Sequence, residues 1–415
     1  MHNNNKGLAF MSCLSRLRSG DGLKQHPLFV IVFCQLLGTS LWFTPNGVAH
    51  ALQQEWQLSL GMLGSLTASV QLGFICGTLA IALSGFADRF RASRIFACSA
   101  LVGALCNLLF IFAGDSFALA LFLRFLTGLA LAGIYPLGMK LVVSWTPHKT
   151  GQALSWLVAM LTLGTASPHL LQGLGHALPW SWVLLSASML AVIAAWLIAC
   201  LGEGEHLPKA ALRRSGLPGF KTFKLKPFRA AALAYFGHCW ELYAFWTLTP
   251  IFLGQLFLNS DLVSSGLSWL AFLIIAIGAL GCVLGGRLSR EFGSARVAWW
   301  MLALSASCCL IWPWVSDAGW LLGLLVLLIW GFSVIADSPH YSALAAITCP
   351  REEVGSALAL MNSIGFLMTV FSISLSTQLY PSLQSYISWL LLPGALLGLL
   401  TLKPLLQKDP THPQA

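Results

Sequence analysis

Charge is what this sequence has least of. Asp, Glu, Lys and Arg make up 9% of the 415 residues, against roughly 25% in a soluble domain. A water-facing globule needs a solvated surface, so the deficit excludes an ordinary soluble protein and points to lipid as the solvent. The 11 cysteines show no CxxC and no metal-ligand spacing; most lie in apolar runs, where a thiol behaves as a small hydrophobe. Neither a disulfide framework nor a metal site is expected. No Walker A loop, GxGxxG or HExxH occurs, and Gly138-Met-Lys140 lacks the GK[ST] ending, which argues against an enzyme of those classes and against a cofactor. The polar N-terminus carries Lys6, Arg16, Arg18 and Lys24 but no small-residue cleavage site, so it reads as a cytoplasmic tail and not a signal peptide. Neither tail is long enough for the soluble module that a non-transporting sensor would carry.

What is present is hydrophobicity: 57% of the residues, gathered in long runs. About 20 apolar residues cross the hydrocarbon core as a helix. On that measure the chain predicts an all-α membrane protein of twelve spans, over 27–49, 60–86, 94–113, 117–142, 152–175, 181–201, 229–256, 263–286, 296–314, 319–346, 353–378 and 386–403. Residues 202–228 are polar, basic and contain Pro and Gly. They read as a cytoplasmic linker between two six-helix bundles, 27–201 and 229–403, flanked by tails 1–26 and 404–415.

The net charge of +9 raises the question of a nucleic-acid partner, and the distribution of the bases rejects it. Of the 23 Lys and Arg, all but Arg124 fall in the tails, the linker or the even-numbered connections, whereas odd connections carry Glu55, Asp115, Asp261 and Asp317. Basic residues stay on the cytoplasmic side, so both termini and the linker are expected in the cytoplasm of a bacterial inner-membrane protein. The halves also repeat. Gly128, Pro136 and Pro147 recur as Gly331, Pro339 and Pro350, each 203 residues later. Parallel repeats of this kind are a transporter architecture.

Several residues stand out as candidates for chemistry. Arg124 is the one base well inside a span, away from its ends. A charge at the bilayer centre costs about 2.5–3.5 kcal/mol on insertion scales, so it is expected to face a partner or a cavity; snorkelling to the periplasmic interface is the alternative. His238 and Glu241 are three residues apart, on neighbouring positions of one helix face, with Tyr243 further round. A buried carboxyl and an imidazole are both suited to carrying protons, and Glu241 is expected to line a central cavity and to change protonation during a transport cycle. A structural His–Glu bond is the competing reading. Asp337-Ser-Pro339-His340 places an acid and an imidazole beside a helix breaker, either a gating kink or a static one. Trp42-Phe-Thr-Pro45-Asn46 mixes rings and polar groups, as substrate contacts or as packing. The GxxxG pairs Gly73/Gly77 and Gly281/Gly285 read as close helix packing.

Over essentially the whole length the residues resemble the major facilitator superfamily. Gly85-Phe-Ala-Asp88-Arg89-Phe-Arg91 is similar to that family's cytoplasmic loop motif, and Gly286-Arg-Leu-Ser289-Arg290 to its second-half copy, with Ser289 where Asp is usual. The resemblance implies that Gly85, Asp88, Arg89, Gly286 and Arg290 form a gating loop; a turn that only fixes topology is the alternative for Asp88 and Arg89. Arg124-Phe-Leu-Thr-Gly128 is similar to the family's buried-arginine motif, which implies proton coupling. Gly164-Thr-Ala-Ser-Pro168 matches part of the antiporter motif without its paired glycines. The chain also resembles, loosely, a bacterial branch containing nitrate/nitrite and cyanate permeases. The resemblance implies a monomeric, proton-coupled secondary transporter of a small solute, such as a small organic or inorganic anion or a metabolite. Its partners would be that solute, protons and the bilayer. Efflux by proton antiport and a sensor of transporter fold are the alternatives.

Overall fold

The structure is a computed structural model, described over residues 21–114, 116–146, 150–175, 177–206, 219–258, 264–350 and 353–407. Most of the two tails and residues 207–218 of the linker lie outside it, as do Asp115 and Asp261. The described residues form helices and no strand. We label the principal helices α1 (Pro27–Thr39), α2 (Leu60–Ser84), α3 (Ala92–Leu109), α4 (Phe117–Leu131), α5 (Thr150–Leu174), α6 (Ser181–Leu201), α7 (Lys226–Leu256), α8 (Ser264–Phe292), α9 (Ser294–Val315), α10 (Trp320–Ala336), α11 (Val354–Leu383) and α12 (Ser388–Gln407). Each of the twelve expected spans overlaps one of these. Among the described residues, 9 stretches are long and apolar enough to cross a membrane; Val354–Gln407 is one stretch containing both α11 and α12, and Pro27–Thr39 is a shorter apolar helix. Outward faces carry Leu101, Leu105 and Leu109 on α3 and Met189, Val192 and Trp196 on α6. Unbroken apolar surface of that kind is stable against lipid and not against water.

Three of the helix breaks fall at prolines, although other prolines such as Pro168 and Pro250 lie inside continuous helices. α1 ends at Thr39, and Pro45 opens the short helix Thr44–Gly47. α4 stops before Pro136, which opens Tyr135–Trp145, and α10 stops before Pro339, which opens Ser338–Thr348. Proline has no N–H and clashes with the carbonyl four residues back, so each span continues as two pieces. Pro136 and Pro339 are repeat partners, and they interrupt α4 and α10 at the same point of the pattern.

Glycine decides where helices touch. A Cβ on Gly128 would collide with the Val70 carbonyl of α2, and one on Gly331 with the Ile274 carbonyl of α8. The repeated glycine thus makes the same close crossing in both copies, α4 on α2 and α10 on α8. The GxxxG residues serve these crossings too, Gly73 against Phe125 and Gly281 against Phe332.

Helices α1–α6 pack mainly on one another, as do α7–α12; we call these the N-terminal and C-terminal sets. They are joined chiefly by α5 lying along α8 and by α2 lying along α11. The buried core runs without a break through both sets.

Candidate functional site

In the N-terminal set, Arg124 is 1% exposed, which removes the snorkelling alternative. Its guanidinium donates to Thr44 Oγ1 and Asn107 Oδ1, both at 3.2 Å, and to the carbonyls of Leu41 at 3.1 Å and Trp42 at 2.5 Å. The geometry follows from Pro45: an α-helix would satisfy the Leu41 carbonyl with the N–H at position 45, which proline lacks. The carbonyl is left for the arginine. Asn107 completes the clamp, donating to the Leu184 carbonyl and Ser188 Oγ at 3.1 Å each. Every acceptor is neutral, and among the described residues no carboxylate forms an ion pair with Arg124.

In the C-terminal set lie two carboxylates. Glu241, 1% exposed, accepts from Trp330 Nε1 at 2.8 Å, Ser305 Oγ at 3.0 Å and Cys309 Sγ at 3.3 Å. Its partners come from α9 and α10, so in this arrangement it faces its own set. His238 and Glu241 share a helix face but not a partner. His238 Nδ1 lies 2.8 Å from Asp337 Oδ1, and Tyr341 donates to Asp337 Oδ2 at 2.8 Å. Asp337 is fully buried at the break before Pro339. His340, one residue beyond that proline, is buried with its ring beside Gly285 of α8.

Between the two sets lies a layer of aromatic rings. Trp42, Phe43 and Phe74 come from the N-terminal set; Tyr243, Trp246 and Phe366 come from the C-terminal set, and all are buried. Centroids approach to 4.4 Å for Phe74–Phe366, 5.3 Å for Tyr243–Phe366, and 5.9 Å for both Trp42–Tyr243 and Phe43–Trp246. Trp42 Nε1 donates to Gln71 Oε1 at 3.3 Å. Asn46, just below, accepts from Thr67 Oγ1 at 3.0 Å. Two separate candidates, Trp42 and Tyr243, are therefore brought together, whereas Glu241 and Arg124 share no partner.

Gly85 adopts φ +65° at the C-terminal end of α2, a left-handed conformation that favours glycine. The short helix Phe86–Arg89 follows, and Lys140 Nζ donates to its Ala87 carbonyl at 2.5 Å. Arg89 is exposed; the Asp88 side chain lies outside the described residues. The second copy differs from the loop implied by its motif. α8 continues to Phe292, so Gly286 and Arg290 are helical. No proline or left-handed glycine intervenes until Gly293, at φ +85°, so nothing ends the helix earlier. Arg290 Nη2 reaches across to Gln152 Oε1 on α5, at 2.8 Å.

The sequence profile of the Major Facilitator Superfamily matches residues 28–373. The chain belongs to that superfamily. Its members are membrane transporters and not enzymes. The chain is 29% identical over 210 residues to the niacin transporter of Acinetobacter baylyi, covering 47% of each protein. It is 35% identical over 130 residues to the 4-hydroxybenzoate transporter of Pseudomonas putida, covering 29% of this chain and 26% of that one. It therefore spans about half or less of the length of these two relatives. A purine ribonucleoside efflux pump of Shigella boydii is 25% identical over 319 residues, 74% of this chain and 75% of the pump. Among solved structures, a bacterial homologue of the human lysosomal transporter Spinster, inward-facing and unoccupied, superposes with a TM-score of 0.65 at 15% identity, covering 94% of this chain and 96% of its own. That likeness speaks for the fold.

Asn107, Gln71, Ser305 and Trp330 complete these networks, and Ser305 and Trp330 carry no sequence signal of their own within their apolar runs. A weak cue existed for Asn107, since an amide within a span needs partners in lipid.

Proposed function

We propose that the chain is a secondary active transporter of a small solute, working by alternating access with proton coupling. It sits in the bacterial inner membrane as a monomer, with both termini and residues 202–228 in the cytoplasm. The observation that carries this reading is the pairing of His238 with Asp337 at 2.8 Å, with Glu241 on the same set of helices. An ionised carboxylate inside a membrane is expensive unless paired. Movement that separates the pair would leave a charge uncompensated inside the membrane, so the charge carried at this place is tied to the arrangement of α7 and α10.

The experiment is transport in proteoliposomes across a panel of small metabolites, driven by an imposed pH gradient. Solute movement should follow the gradient and collapse with an uncoupler; dependence on sodium alone, without response to protons, overturns the coupling. Reporter fusions at residue 215 and after the C-terminus should both report cytoplasm, and a periplasmic signal from either overturns the orientation. A second reading, export by proton exchange, draws support from the efflux pump that the chain matches over most of both lengths. The sign of the gradient that drives accumulation separates the two.

A further inference from the structure

We propose that the ring layer between the two helix sets is the solute site, and that it takes a small planar aromatic or heteroaromatic solute whose polar groups accept hydrogen bonds; this rests on the transporter reading above. Three rings from each set meet: Trp42 stacks on Phe366 and Phe43 on Tyr243, while Phe43 meets Trp246 edge-on. Phe74, Tyr243 and Phe366 stand near the middle of their helices, and Trp42 and Phe43 in the turn between α1 and Thr44–Gly47. When the sets part, Trp42, Phe43 and Phe74 leave with one wall, and Tyr243, Trp246 and Phe366 with the other. A gap lined by ring faces on both sides is filled best by a flat solute, because stacking needs a π-face on the ligand and a puckered aliphatic ring leaves voids.

The polar groups that border the rings supply the second, independent observation. Gln71 is fully buried and receives the Trp42 N–H on its oxygen, while its Nε2 has no partner. Trp246 is fully buried and its Nε1 has no partner either. Buried donors without acceptors are costly and uncommon. Other unbonded indole N–H groups, those of Trp145, Trp299 and Trp312, belong to none of the ring contacts in this layer. Gln71 and Trp246 stand on opposite walls, one per set. Both are donors, so the missing counterpart is an acceptor: a carboxylate, a ring oxo group or a ring nitrogen. A solute that offered only N–H groups would leave them unpaired. Arg124, held against the Trp42 carbonyl without a carboxylate partner, adds positive potential beneath the N-terminal wall, which favours an acceptor that carries negative charge.

The test uses the full chain purified in detergent, with binding measured for benzoate, nicotinate and benzamide beside cyclohexanecarboxylate and cyclohexanecarboxamide. At least one aromatic probe should bind about tenfold more tightly than its saturated counterpart, with benzylamine weaker still. Trp246→Phe keeps a ring and removes the donor; the best probe should lose roughly three- to tenfold in affinity in a protein that still unfolds cooperatively. Gln71→Leu should weaken the same probe and shift no preference between saturated solutes. Saturated and aromatic probes binding alike, or Trp246→Phe binding as the wild type does, overturns the proposal. The same protein in proteoliposomes separates the two claims. Gradient-driven movement of some other solute with no aromatic preference overturns the solute class and leaves the transporter standing; aromatic binding without flux upholds the site and removes the transporter.

Discussion

Glu241 accepts from three donors, Trp330, Ser305 and Cys309, whereas a protonated carboxyl must also donate. Protonation requires one partner to turn and accept instead. Ser305 can do so, because its hydroxyl both donates and accepts; the Trp330 indole cannot. Glu241→Gln preserves the shape: its oxygen keeps the Trp330 bond and its amide faces the hydroxyl that can turn. We expect normal expression and folding but no gradient-driven accumulation, with solute counterflow retained. Uphill transport at the wild-type level would make Glu241 structural and leave Asp337 as the proton site. Arg124 makes a different demand. Its planar fork reaches four acceptors on two elements, and Lys has three donors on one nitrogen. Arg124→Lys should destabilise the protein by about 1–3 kcal/mol, read as a lower unfolding temperature in detergent.

At the scale of helices, Gly128 and Gly331 make equivalent crossings, and adding one methyl group at either meets a backbone carbonyl that cannot step aside. Gly128→Ala and Gly331→Ala should each cost about 1–3 kcal/mol; a thermal unfolding series in which one is silent would show that the repeat is not equivalent in packing. These crossings were legible in the sequence, because a glycine repeated at a fixed offset marks a place where backbones approach. So was the break in α10, since proline acts locally; the one in α4 falls inside the expected span 117–142, where Pro136 stood out only as a repeat partner. The end of α8 was not, because the motif suggested a loop where no local signal ends the helix. The partners of Glu241 were not legible either. Trp330 lies on another helix, and nothing in a run of apolar residues says which indole will turn inward. For Arg124 the clamp was half legible: Pro45 announces a freed carbonyl, but its meeting with a base far along the chain is a tertiary fact.

For the whole molecule, the two sets are held together by α5 lying along α8 and by α2 lying along α11. Gly286 sits so close to Ser155 that a Cβ there would stand 2.9 Å from the Ser155 Cβ, and Gly64 approaches Thr377 with a Cβ–Cβ separation of 2.8 Å. A disulfide wants about 3.5–4.5 Å between Cβ atoms, so a small outward shift admits one at either place. The proposed topology puts the first pair toward the cytoplasm and the second toward the periplasm. If transport alternates access, each pair must separate once per cycle, and tying either should stop turnover without unfolding the protein. In a background free of the 11 native cysteines, Ser155→Cys with Gly286→Cys, and Gly64→Cys with Thr377→Cys, should each lose flux on oxidation and recover it with reductant. The trapped forms should differ in which side admits a membrane-impermeant maleimide to a single cysteine at position 71. Undiminished flux after complete oxidation of the Ser155–Gly286 pair would mean that α5 and α8 stay together throughout. Opening toward the cytoplasm would then have to come from α2 and α11 alone.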